Sequence, residues 1–410
     1  MISSVRLKAL LLALLLINCV TVMAKPKVIA IVNPASSSAS VSLWARHYTM
    51  DTPIPTMNFL SEIADSESIS NYYRTVYFSA FKIGSDHQTF TAVLDTGSAN
   101  IWVPGDHCQT DGCEGKHQFH PASSQTFQAS DQTFQLKYGT GAVNATLGVD
   151  QISIAGLVVK KQGFGIALAI DKFFKDSGFD GIFGLAFKEL AIGQIPTWVE
   201  NAAKEQLIAK AQFALYLSNK ANGEDSRLFL GDPDRRFYQG NIQWHPLISI
   251  KPNSPTRLYF TVALHGFKVG QSTLSTHCPQ QGCPAVVDSG TSQLIVPKAV
   301  LAQFQHDIKV KEDCSELDKL PTIYIQLSQF SYDLTPAFYV IKIPGQDNQL
   351  ECRLGIDALD DSSWILGDTF LRSRLSVYDL KKARVGFAKL ASNLTQQLTL
   401  KEYQYIQSQP

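Results

Sequence analysis

Val93-Leu94-Asp95-Thr96-Gly97-Ser98 returns later in the chain as Val286-Val287-Asp288-Ser289-Gly290-Thr291. Each copy has an apolar-apolar-Gly partner downstream. Ile182-Phe183-Gly184 begins 87 residues past Asp95, and Ile365-Leu366-Gly367 begins 77 past Asp288. One Asp-Thr/Ser-Gly triplet carries little, since ordinary composition yields about 0.2 per chain of this length. Two copies in matching apolar contexts imply an internal duplication and two related lobes. Each apolar pair buries a strand end and leaves its Asp at a tight turn, where Gly lets the backbone bend.

Around these repeats run short segments rich in Val, Ile, Phe, Tyr and Thr, broken by Gly, Pro, Asn and Asp. Strands are expected over Val76–Ile83, Thr89–Leu94, Gln132–Tyr138, Gly165–Ile170, Arg227–Leu230, Leu258–Leu264, Ile323–Leu327 and Ala337–Ile343. Helices are expected only at Ile195–Lys204 and Lys298–Gln305, each opening at a Pro-containing turn. The fold class is therefore mainly β and bilobal. The chain has 410 residues, too many for one compact unit, and 45% of them are apolar, enough to fill two cores. Its 36 basic residues balance 36 acidic ones with no basic run, which argues against nucleic acid and against a polybasic membrane anchor.

Arg6 and Lys8, the apolar run Ala9–Ile17 and the small-residue pattern Val22-Met23-Ala24 read as a secretory signal ending at Ala24. The mature protein is then exported: secreted, or delivered to a periplasm or an acidic lumen, with no stable membrane anchor. Residues 25–70 read as a mobile leader, Ser/Ala-rich at Ala35–Ser42 and Pro-rich at Asp51–Pro55. Residues 71–235 and 236–390 form the two lobes, and 391–410 form a polar tail. Export leaves six cysteines in an oxidising setting, for which 15 pairings can be drawn. The spacing favours Cys108–Cys113 and Cys278–Cys283 as two close pairs, leaving Cys314 with Cys352. Zinc is the rival for the first pair, because His107, His117 and His120 crowd around it. No metal and no cofactor are expected.

Placing the two Asp turns face to face brings Asp95 and Asp288 within hydrogen-bonding distance. Two carboxylates so close cannot both ionise easily, so they share one proton and titrate together. A water held between them can lose its proton to one carboxylate while the other protonates the carbonyl under attack. Thr96 and Ser289 can brace the loops by hydroxyl–backbone bonds, and Ser98 and Thr291 can hold the outer carboxylate oxygens.

The sequence from about Tyr72 to Leu390 resembles the pepsin-type aspartic endopeptidases. Phe90–Pro104 resembles the first catalytic segment, Phe119–Phe127 the approach to the flap, and Tyr138-Gly139-Thr140-Gly141 the flap tip. Phe179–Leu185 and Trp364–Asp368 resemble the two apolar-Gly segments, and the cysteine pattern fits the family's three bridges in order. The resemblance implies Asp95 and Asp288 as the catalytic pair, supported by Thr96, Gly97, Ser98, Ser289, Gly290 and Thr291. It implies a flap whose Tyr138 hydroxyl meets the Trp102 indole, with Gly139 and Thr140 touching substrate. Val93, Phe173, Phe179 and Ile182 would line the pocket on one side of the scissile bond and Val286 the other, favouring cleavage between large hydrophobic residues. It further implies polypeptide substrates, binding of pepstatin-type inhibitors, and a monomer.

Ser289 stands where Thr is usual, Ala99 where Ser is usual, Ala145 where the flap strand often has Gly, and Asp232 after Gly231 where a second Gly is usual. Family leaders are typically basic. Here Lys25, Lys27 and Arg46 face Asp51, Glu62, Asp65 and Glu67, so electrostatic masking of the pair is weak. Asn144 and Asn393 sit in glycosylation sequons. A catalytically silent pepsin-fold binding or inhibitor protein is the alternative, although such proteins usually carry a damaged Asp pair or flap. A two-carboxylate glycosidase would need a platform of exposed aromatics beside the Asp turns.

Overall fold

Strand Gln88–Asp95 sets the frame of the first half. It pairs in parallel with Gly181–Gly184, placing Val93 opposite Ile182 and Asp95 opposite Gly184. The second half repeats this arrangement: Cys283–Val287 runs parallel to Ile365–Leu366, with Val286 opposite Ile365. The computed structural model describes residues 31–32, 39–48, 74–138, 141–175, 177–219, 226–251, 253–344, 350–360 and 362–394. The signal segment, the leader outside those bounds, the tail beyond 394, and the tip residues Gly139 and Thr140 lie outside the described residues.

The fold is mainly β, with three large sheets among the described residues. One eight-stranded sheet carries Asp95 at the end of a central strand. It extends through Ile101–Pro104 and Leu157–Ile170 to the long hairpin Gln128–Tyr138/Gly141–Ile154. A second, centred on Thr261–Val269 and Cys283–Val287, carries Asp288. The third joins both halves, since Arg227–Leu230 and Gln212–Tyr216 lie in it beside Arg374–Asp379, Arg384–Leu390 and Tyr238–Pro246. Aromatic side chains fill the seam above it: Phe187 meets Phe260 at 4.7 Å, and Phe213 stacks on Tyr378 at 4.6 Å. In this third sheet His245 is buried, its Nε2 2.6 Å from the Tyr332 hydroxyl and its ring against Phe330 and Phe387.

Residues 39–48 depart from the expected leader. Ala39–Ser42 pairs antiparallel with Arg227–Leu230, and Trp44–Tyr48 with Arg74–Ile83. Ala39, Val41 and Leu43 alternate into the core, a period-two pattern concealed by the serines between them. Another departure is Ala337–Ile343, which divides into a helical turn Pro336–Tyr339 and a strand Val340–Pro344. Pro336 at the first helical position starts the turn. Leu258–Leu264 is displaced to Thr261–Val269, and Gly165–Ile170 is the second half of Leu157–Ile170. The two longest helices among the described residues are Trp198–Lys204, opened by a Thr197/Glu200 capping box, and Lys298–Asp307.

Cys108–Cys113, Cys278–Cys283 and Cys314–Cys352 are disulfide-bonded, with Cα atoms 5.9, 5.1 and 5.0 Å apart. The first bond takes the thiolates that a zinc site would need. His107 and His120 lie instead beside Asp106, and His117 beside Asp180.

Candidate active site

Both strand-end turns owe their shape to close backbone approach. A Cβ on Gly184 would lie 2.5 Å from the Ala99 carbonyl carbon, and one on Gly367 2.2 Å from the Gln293 carbonyl oxygen. These glycines let each apolar-Gly strand press onto the loop that follows its Asp. Gly97 answers a third constraint: a Cβ there would sit 2.6 Å from Asp288 Oδ1, in the space taken by the opposing carboxylate.

The two turns brace each other reciprocally. The Ser289 N–H donates to Thr96 Oγ1 at 2.9 Å, and the Thr96 N–H donates to Ser289 Oγ at 3.1 Å. Each hydroxyl then reaches across to a strand carbonyl: Thr96 Oγ1 donates to Val287 O at 2.8 Å, Ser289 Oγ to Leu94 O at 2.6 Å. Within each turn the carboxylate is held twice. Gly97 N–H donates to Asp95 Oδ1, and Gly290 N–H to Asp288 Oδ1, both at 2.8 Å. Ser98 Oγ donates to Asp95 Oδ2, while Thr291 Oγ1 donates to Asp288 Oδ2 at 2.6 Å.

Asp95 and Asp288 are both buried, and the Asp288 carboxyl lies against the turn that carries Asp95. Burial, then the neighbouring Asp288 charge, holds Asp95 well above the usual carboxylate range. Burial lifts Asp288 as well, opposed by the Thr291 hydroxyl and the Gly290 N–H. The arrangement favours retaining one proton between them.

On the first-lobe side, Trp102 Nε1 donates to the Tyr138 hydroxyl at 2.7 Å. Burial and the Asp95 charge keep that phenol protonated far beyond neutral pH. Val93, Phe173, Phe179 and Ile182 gather with Trp102 and Tyr138 in one apolar cluster. Val286 is buried outside this cluster, in register with Ile365. Sequence reading missed Phe174, whose ring lies edge-on to Trp102 at 5.6 Å and to Tyr138 at 5.9 Å. The doublet Phe173-Phe174 was the available signal. It also missed Asp180, which receives the Thr91 N–H and hydroxyl and the His117 N–H and so ties the Phe179–Leu185 segment down. Asp368, a third buried carboxyl close to Asp288, was quoted in its segment but given no role.

A duplicated Asp turn, cross-braced between two β lobes and covered on one side by a hairpin, defines a two-lobed aspartic protease. The sequence model of the eukaryotic aspartyl protease family matches residues 76–390, and the chain belongs to that family. It is 34% identical over 336 residues to gastricsin of Oryctolagus cuniculus, covering 78% of this chain and 83% of that protein. Pepsin B of Canis lupus familiaris is 33% identical over 359 residues, covering 84% and 88%. Cathepsin E of Mus musculus is 33% identical over 337 residues, covering 79% and 82%. The chain is a pepsin-like aspartic endopeptidase acting on polypeptides. No helix among the described residues is long and apolar enough to cross a membrane.

Proposed function

We propose that Asp95 and Asp288 hydrolyse peptide bonds at acid pH through one water held between their carboxyls. The ionised carboxyl takes a proton from that water as its oxygen attacks the carbonyl carbon, and the protonated one gives its proton to the carbonyl oxygen. The resulting tetrahedral diol collapses as the carboxylate that gave up its proton takes one from a diol hydroxyl. The carboxyl that took the water's proton gives it to the leaving nitrogen, and the C–N bond breaks. Every transfer stays within the pair, so neither metal nor covalent intermediate is needed. The observation that carries this reading is the reciprocal bracing of two buried aspartates, whose burial favours a shared proton.

Tyr138 closes over the bound peptide with Gly139 and Thr140, positioned by the Trp102 indole. The apolar cluster at Val93, Phe173, Phe179 and Ile182, with Val286 opposite, favours large hydrophobic residues flanking the cleaved bond. The protein acts as an exported monomer and binds pepstatin-type inhibitors. Hydrolysis of denatured globin from pH 2 to 8, with and without pepstatin, tests the reading. A pepstatin-sensitive bell with its optimum at about pH 3–5 is expected. Full activity at pH 8 rules out a shared proton. Pepstatin binding without hydrolysis at any pH marks a silent binding protein.

A further inference from the structure

Residues 170–180 bring Phe173, Phe174 and Phe179 to the apolar cluster around Trp102 and Tyr138, and they rest on a second segment, 108–117. That segment opens with the Cys108–Cys113 disulfide, whose two cysteines are buried in the same cluster. At one end Thr110 Oγ1 donates to the Ile170 carbonyl at 2.8 Å and accepts the Ile170 N–H at 2.9 Å. A Cβ on Gly112 would lie 2.3 Å from the Asp171 carbonyl oxygen, so the two backbones touch there. At the other end the His117 N–H donates to Asp180 Oδ1 at 2.9 Å.

Between these anchored ends the chain turns back on itself after Phe174, and its acceptors converge on Lys116 Nζ. The ammonium donates to the Phe179 carbonyl at 2.6 Å, to Ser177 Oγ at 2.7 Å and to the Ser177 carbonyl at 3.3 Å. Its three N–H groups suit such a set of acceptors. Ser177 Oγ passes the link on, donating to the Phe174 carbonyl at 2.7 Å. The ammonium also stands over the Phe179 ring, 5.5 Å from its centre. One half-buried cation therefore holds the backbone at Phe174 and at Phe179 together. The neighbouring pair of Lys175 with Glu114, 2.8 Å apart, joins two exposed side chains and contributes little.

We propose that Lys116 is a positioning residue that sets substrate specificity: it fixes the wall on which a large hydrophobic side chain of the peptide rests. The proposal rests on the reading of Val93, Phe173, Phe179 and Ile182 as a substrate pocket. Without the ammonium, the Ser177 and Phe179 acceptors lose this donor and turn to water, and the Phe179 ring moves with its backbone. A substrate that fills the pocket with a Phe side chain loses its wall. One that places Ala there never reaches it.

The test compares kcat/KM at pH 4 for two pairs of octapeptides, with Phe exchanged for Ala on one side or the other of the cleaved bond. Phe179→Ala identifies the pair that reports on this pocket, because it collapses that pair's Phe:Ala ratio. Lys116→Met keeps the stem and removes the donors, and is expected to lower the same ratio by about fivefold or more while sparing the other pair's ratio. Lys116→Arg restores N–H donors and is expected to return the ratio to within about twofold of wild type. An equal loss on Phe and Ala peptides overturns the proposal, as does Lys116→Arg behaving like Lys116→Met. Should Lys116→Met fail to fold by circular dichroism, Ser177→Ala, which cuts the relay to Phe174, decides: a lowered ratio supports the proposal and an unchanged one overturns it. If Phe179→Ala alters neither pair's ratio, the pocket reading fails and the proposal falls with it. If Phe179→Ala collapses the ratio and Lys116→Met spares it, the proposal alone fails.

Discussion

After Gly184 comes Leu185, and after the matching Gly367 comes Asp368; both side chains are buried. Leu185 brings only apolar contact to the first Asp turn. Asp368 brings a carboxyl whose Oδ1 is sealed and unpartnered, and burial keeps it well above the usual range. The first turn lies beneath the hairpin that carries Tyr138, whereas the second leads through Gln293 to a cavity of about 330 Å³ lined by Ile308, Ile356 and Asp357. The backbone frames match bond for bond at the glycines and hydroxyls, yet their surroundings differ. Duplication thus fixes where two carboxyls sit, and the flanking residues determine what each half contributes: cover over the substrate from one, extra ionisable groups from the other.

Removing either carboxyl is the largest test of that frame. Asp95→Ala and Asp288→Ala should each leave below about a hundredth of wild-type kcat/KM on denatured globin, because acid and base are needed together. A clear inequality between the two would break the symmetry. Next come the two glycines. Gly184→Ala and Gly367→Ala should each cost about 3 kcal/mol or more, or prevent folding, since neither Cβ has room. Thermal unfolding measures this, and tolerance of one but not the other would show that the halves are unequally constrained.

Acid should weaken the second half through His245. Its folded value is lowered by burial to about 4 from 6.5, so the folded state binds fewer protons than the unfolded one. The polar groups it meets are the Tyr332 hydroxyl and Ser328 Oγ, with Arg374, itself paired to Asp333, over the Tyr332 ring. The stability this contributes is complete above pH 6.5 and drains as pH falls towards 4, by up to about 3 kcal/mol. Denaturant midpoints at pH 7 and pH 4 should show a smaller drop for His245→Gln than for wild type. Tyr138→Phe should be milder, lowering kcat/KM about tenfold by leaving the Trp102 N–H without its acceptor. An unchanged value would mean the hairpin acts without that bond. The smallest effect belongs to Thr291→Val. Losing the donor to Asp288 Oδ2 raises the Asp288 pKa, so the acid limb of the pH–rate profile should move up by about one unit. Ser98→Ala is the matched probe at Asp95.

Much of this was legible in the sequence because it is local or repeated. The Asp turns, the apolar-Gly segments and the cysteine spacings each announce themselves within a few residues. What escaped depends on distant partners. Ala39–Ser42 is a strand only because Arg227–Leu230 lies alongside to pair with it. Asp180 looks like any surface acid until Thr91 and His117 close over it. Gln293 and Asp357 reveal their unmet acceptors only once strands Leu294–Ile295 and Ile356–Asp357 pair side by side. Ala337–Ile343 is ambiguous for a different reason: it is apolar enough for helix or strand, and Pro336 decides where one becomes the other.

Ala39–Ser42 occupies one side of Arg227–Leu230 in the sheet that joins the two halves. Should the chain be trimmed past residue 48, that short segment would either remain clamped there by its backbone hydrogen bonds and its buried Ala39, Val41 and Leu43 or depart. Its departure would strip a row of N–H and C=O groups bare at the seam of the molecule, a template for any extended chain nearby. Trimming the amino-terminal region is therefore coupled to self-association: the trimmed protein must keep its severed strand, refill the gap from its own chain, or become sticky at that edge.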